Sequence, residues 1–407
     1  MLPVKCHQLY RRKRGNRRLI LLLFVFAGAL QSFGVDFSVN TSFDGNVSEK
    51  WLHRAPGILP VFQNTDTVYN GLPVTITVVV REYSRNYFGI ADLYFSYRIL
   101  RPDGSVFRDS SGISACSGFT DTDTGMLPGA YSPRVFFPEN EPPGTYTLTV
   151  TVDDRIDGTT KVRRKKLLLS KYPQTDTRRF DVVSFNMWLH NYCIAPDPAG
   201  AVSAFAWFMG STSSNDDRVF WPVFYFFQSL FYHNPALIDA LLREYPGSSP
   251  RVREYTVLLL RLLEIKRQQR WPISDTRWKK FDAMKETGYL NPFAITLKSG
   301  SVQFMEFGFY YYGRYAMLRF LIECLGLHST QGYKEFAAYC KKQVDSSVVV
   351  PGQGTALQFY AYAKKILSTA YTKHQLLHMY CNYALAYDHL SPGAERELRA
   401  IMLKAGK

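Results

Sequence analysis

The stretch Lys171-Tyr-Pro-Gln-Thr-Asp-Thr-Arg-Arg179 decides how the chain is read. Upstream of it, apolar residues alternate with polar ones, as in strands. Downstream they recur every three or four positions, as in helices. Pro173 and the polar run around it mark the switch, so 171–179 reads as a linker between a β module over 58–170 and a helical module over 180–407.

In the first module Val74, Ile76, Val78 and Val80 alternate, as do Leu93, Phe95, Tyr97 and Ile99, and again Tyr146, Leu148, Val150 and Val152. Arg101-Pro-Asp-Gly104, Pro142-Pro-Gly144 and the run from Asp153-Asp154 to Gly158 supply turn chemistry between them. Short strands at this spacing predict an antiparallel β-sandwich. The run Pro143-Gly-Thr-Tyr-Thr-Leu-Thr-Val-Thr-Val-Asp153, followed by Gly158 and a last strand to about Leu169, resembles the closing hairpin of bacterial immunoglobulin-like domains. The resemblance implies that Tyr146 takes that fold's corner position, and it implies nothing about function. Gly112–Ser132, rich in Ser, Thr, Gly and Asp, reads as a solvated crossover. Lys161-Val-Arg-Arg-Lys-Lys166 reads as a solvated strand edge that discourages pairing.

The second module shows helical periodicity over 199–209, 218–232, 236–245 and 251–268, then near 300–312, 314–326, 332–346, 355–369, 372–387 and 391–404. Helices of this length on short loops predict antiparallel pairs stacked as an α-solenoid or bundle. No clean 34-residue period emerges. Trp188-x3-Tyr192-x3-Pro196-x-Pro198, Phe231-x2-Asn234-Pro235, Met305–Leu325 and Leu390-Ser-Pro-Gly-Ala-Glu395 are similar to uncharacterised bacterial helical proteins with degenerate tetratricopeptide-like repeats. What that resemblance implies is an interaction scaffold.

Ahead of both modules, residues 1–34 hold seven basic residues and no acid, then the apolar run Leu19–Leu30 and small residues at Ala27-Gly-Ala29 and Ser32-Phe-Gly34. This is the pattern of a signal peptide, or of an uncleaved anchor if 19–35 spans the bilayer. Residues 35–57 read as a flexible segment. The expected location is therefore exported, periplasmic or extracellular, with membrane contact only through an uncleaved leader. Of the net charge of +15 on 407 residues, +7 lies in that leader, so the remaining surface is mildly basic and excludes a nucleic-acid footprint. With 46% hydrophobic and 15% aromatic residues, the chain is globular rather than disordered. Cys116, Cys193, Cys324, Cys340 and Cys381 form no CxxC pair and read as buried thiols. Asn40-Thr-Ser42 and Asn46-Val-Ser48 fit glycosylation sequons.

Two constellations stand out as candidate sites. His374, His378 and Cys381 fall at i, i+4 and i+7, one helix face, a spacing that offers three ligands to zinc or copper. Position 375 is Gln, so the glutamate base of the metalloprotease helix is missing. Phe304-Met-Glu-Phe-Gly-Phe-Tyr-Tyr-Tyr-Gly-Arg-Tyr315 is dense enough in aromatics to line a ligand groove, with Phe304, Glu306, Tyr311, Arg314 and Tyr315 as its candidate residues. The sequence carries no GxSxG elbow and no phosphate-binding loop. The leading functional expectation is a non-catalytic interaction protein with a protein partner. A metal-dependent enzyme using the helical module, or a carbohydrate-binding surface protein, are the alternatives.

Overall fold

The computed structural model describes residues 34–405, apart from 46, 62, 120–124, 173–178, 264–295, 298 and 344–351. The expected leader, most of the linker and the end of the helix expected over 251–268 lie outside the described residues.

Alternation does build strands in the first half. They are β1 (Asp36–Ser42), β2 (Thr67–Tyr69), β3 (Pro73–Arg81), β4 (Ile90–Leu100), β5 (Val106–Phe119), β6 (Leu127–Pro128), β7 (Arg134–Phe136), β8 (Gly144–Asp154) and β9 (Thr159–Ser170). β1, β6 and β7 all pair with β3 in the smaller sheet, and the larger sheet runs β2-β9-β8-β4-β5. One set of side chains on β4, β8 and β9 meets Phe37, Val74, Ile76, Val78 and Val80 from the smaller sheet in a common apolar core.

The expected antiparallel immunoglobulin-like sandwich is corrected by this topology. The five-stranded sheet is mixed, because β2 runs parallel to β9 in the register Thr67↔Leu168, Val68↔Leu169, Tyr69↔Ser170. Parallel pairing needs a long crossover, and here the whole run β3 to β8 lies between the two partners. Tyr146 turns back on the residues just before its strand, its hydroxyl 2.8 Å from the carbonyl of Pro142 and 2.9 Å from the Glu141 carboxylate. The long connection at 112–132 is in part strand, since β5 extends to Phe119.

The segment 35–57, expected to be flexible, carries β1 and the helix α1 (Val47–Leu52). α1 reaches the helical half. Buried Lys50 pairs with buried Asp44 and donates to the Cys193 carbonyl at 2.6 Å. The Tyr315 amide donates to the His53 carbonyl at 2.9 Å. Phe43, Ala55 and Leu72 belong to the helical core. From Gly34 onward the chain is one compact unit.

The helices after the boundary are α2 (Val182–His190), α3 (Ala201–Gly210), α4 (Asp217–His233), α5 (Ala236–Glu244), α6 (Pro250–Leu262), α7 (Gln303–Tyr312), α8 (Tyr315–Cys324), α9 (Thr330–Gln343), α10 (Gln353–Ala370), α11 (Gln375–Tyr387) and α12 (Pro392–Ala405). Sequence chemistry fixes their ends. Asp181 and Ser184 form a capping box on α2, Asp216 caps α4, and Gly313 closes α7 in the left-handed region at φ 63°. Among the described residues no helix is long and apolar enough to cross a membrane.

Candidate functional site

The metal constellation does not assemble. His374 lies just outside α11 as its N-cap, where Nδ1 accepts the Leu377 amide at 3.1 Å. That bond puts the proton of the neutral ring on Nε2, which sits 3.8 Å from the Cys193 sulfur. Burial pushes this imidazole down to about 4. His378 is exposed and packs on Tyr371, with ring centroids 4.5 Å apart, while Cys381 is buried with its thiol pushed up by desolvation. Among the described residues no group of three His, Cys, Asp or Glu side chains is placed to hold a metal ion.

The aromatic stretch is a packed seam. Phe304 and every residue from Met305 to Tyr312 are buried. Tyr311 donates to the Ser229 carbonyl at 3.1 Å and lies against His233, and Arg314 stacks over Tyr312 at 4.6 Å. Glu306 is 3% exposed and accepts from Tyr310 at 3.0 Å and from Tyr362. Burial raises its carboxyl to about 7, although the two hydroxyls and Lys365 pull the other way. Of the five groove candidates, Tyr315 lines an open cleft.

That cleft, of about 610 Å³, lies between α8, α9 and the turn into α12. Tyr315, Arg319 and Glu323 recur every four residues, so α8 presents all three on one side while Met317, Leu318, Phe320, Leu321 and Ile322 enter the core. Glu335, Ala338, Tyr339 and Lys342 line the facing side from α9. Arg319 is the centre of the polar network. It donates to Asp388 at 2.7 Å, to Glu323 at 2.6 Å and to the His389 carbonyl at 2.8 Å, and Tyr315 also donates to Asp388. Burial raises the Glu323 carboxyl, and the Arg319 charge opposes that rise. Burial likewise holds the Tyr315 hydroxyl well above the usual phenol range, reinforced by Asp388. The His389 carbonyl, rather than its ring, engages Arg319. On the cleft floor one guanidinium thus bridges two carboxylates, Asp388 and Glu323.

No family model matches the chain, and no curated protein does. Among solved structures, the sporulation control protein Spo0M from Bacillus subtilis aligns at 15% identity over 34% of this chain and 49% of that one, with a TM-score of 0.18. A family 123 glycoside hydrolase from Clostridium perfringens aligns at 12% identity over 34% of this chain and 28% of that one, with a TM-score of 0.21. The chain therefore spans about half of the first and under a third of the second. Likenesses this slight carry no argument about fold or activity.

Sequence reading missed Arg319 and Glu323. The signal was present, since they are the two charges in the otherwise apolar run Tyr315–Cys324, four residues apart. Asp388, their third partner, lies 65 or more residues downstream, so no local spacing links it to Arg319.

Proposed function

We propose that the protein is a non-catalytic interaction protein that takes a segment of a protein partner in the cleft between α8 and α9, and that it acts outside the cytoplasm after export on residues 1–34. The supporting observation is the Arg319 network. It fixes a charged floor between two tyrosine walls, Tyr315 and Tyr339, and Ala316 and Ala338 leave room above it. A preorganised floor of this kind lowers the ordering cost of binding. Tyrosine and arginine are also the side chains that anchor protein interfaces.

The test is affinity capture by the full chain and by Tyr339→Ala and Lys342→Glu variants, each checked for an unchanged thermal midpoint. A partner retained by the wild type and lost by both variants supports the reading. A partner retained equally by all three places its interface elsewhere and overturns it. The export proposal is checked by fractionation of the source cells, where recovery of the chain in the cytosol would refute it.

A further inference from the structure

The basic run 161–166 divides between two faces once it is placed in β9. Lys161 and Arg163 both pair with Asp36 at 2.7 Å, and Lys165 pairs with Asp66 at 3.0 Å. Arg164 and Lys166 point to the opposite, outer face of the five-stranded sheet, are exposed, and have no acidic partner among the described residues. On the next strand the register sets Arg164 beside Thr149 and Lys166 beside Thr147. β8 offers this outer face four threonines in alternation, Thr145, Thr147, Thr149 and Thr151, whose hydroxyls make no hydrogen bond with the other described residues. One strand further on, Arg98 stands opposite Thr149 and is held by Asp109 at 2.6 Å.

The result is a trough. Short side chains form its floor along β8, and long ones rise from β9 on one side and β4 on the other. From strand geometry it is about 10 Å wide and about 20 Å long. Its hydroxyls can donate and accept, and along Thr145–Thr151 its unpaired charge is positive, the Asp153 carboxylate lying at the far end of β8 where it accepts from Thr160. The ring that flanks it on β4, Tyr94, is covered by Arg155 at 3.7 Å, so no bare aromatic is offered there for stacking a nucleobase. Nor is there a continuous apolar surface for a bilayer to receive, because threonine separates Val162 and Leu168 from Leu100. We infer that this outer face binds an extended acidic polysaccharide, with uronate carboxylates on Arg164 and Lys166 and sugar hydroxyls on the threonine floor. This goes beyond the helical cleft and is independent of it.

The experiment is fluorescence anisotropy with a labelled polygalacturonate oligosaccharide and the full chain, alongside a neutral glucan of equal length, a single-stranded oligonucleotide and phosphatidylglycerol vesicles. The expected result is salt-sensitive binding of the polyuronate. Affinity should fall about tenfold in the Arg164→Ser/Lys166→Ser double variant, the scale of two exposed ion pairs. It should also fall in Thr149→Tyr, which fills the trough without changing charge. Lys373→Ser/Lys404→Ser, which removes two exposed lysines from the helical half, should bind like the wild type. Equal loss in both double variants would reduce the effect to net charge and overturn the inference. Tighter binding of the oligonucleotide or the vesicles, or no binding of the polyuronate, would overturn it as well.

Discussion

Replacing Glu306 by glutamine tests the energetics of the helical core directly. The carboxyl is buried on α7 beside Tyr310 and Tyr362, and its pKa rises from 4.5 to about 7. An acid raised in the folded state is ionised first in the unfolded chain as pH increases. Its contribution to stability is therefore fully present below pH 4.5 and is lost as pH rises through about 7. At about 1.36 kcal/mol per pH unit, that loss comes to about 3 kcal/mol. The amide of the Glu306→Gln variant has no such titration; its carbonyl can still accept from one of the two tyrosines, and its NH2 can donate to the hydroxyl oxygen of the other.

His190 and His374, both lowered to about 4 by burial, act with the opposite sign, destabilising the fold as pH falls below 6.5. The wild-type curve alone would mix these effects, so the informative quantity is wild type minus variant. Urea unfolding followed by tryptophan fluorescence at about pH 4.5, 5.5, 6.5 and 7.5 should show this difference shift by about 3 kcal/mol in favour of glutamine as pH rises. A difference that stays constant across the series would refute the reasoning, because the carboxyl would then titrate alike in both states.

Three further outcomes follow from named contacts. Lys50→Met leaves the Asp44 carboxylate buried without its ammonium and should cost about 3–5 kcal/mol in denaturant unfolding, most of it recovered in Asp44→Leu/Lys50→Met. Tyr146→Phe removes the hydroxyl contacts to Pro142 and Glu141 and should cost about 1 kcal/mol in the same assay. Of the five described thiols, Cys116 is the one that is not fully buried. Among these five, the native chain should therefore expose Cys116 alone to Ellman's reagent, with Cys193, Cys324, Cys340 and Cys381 appearing after denaturation.

Local pattern was enough for much of the secondary structure. Strict alternation at Val74–Val80, Leu93–Ile99 and Tyr146–Val152 marks residues that do enter one core, because a strand with one buried face has period two. Pairing was less legible. β2 is only Thr67-Val-Tyr69, too short to show a period, and its parallel partner lies about a hundred residues downstream at Leu168. At the sites the failures have two physical causes. His374 satisfied the i, i+4, i+7 spacing on paper, but an N-cap residue has non-helical backbone, so it leaves the face on which the spacing depends. An aromatic run such as 304–312 suits a groove or a packed seam in sequence, since both need apolar surface, and in the fold these residues are buried. The outer-face cations were visible only as a charge run. Strand register was needed to separate Arg164 and Lys166 from their paired neighbours.

The docking of α1 into the helical half sets the order in which this protein can mature. Asp44 and Lys50 are synthesised early, yet the Cys193 carbonyl that Lys50 meets emerges 143 residues after it, and the Tyr315 amide that bonds His53 comes later still. Loops of that span close slowly, and their closure must precede the contacts that reward it. Phe43, Ala55 and Leu72 must therefore wait, short of the core they join, until the helices of the other half are made, whereas the β core draws only on residues 35–169. Docking of α1 is therefore a late step, taken after the β core has all of its own strands.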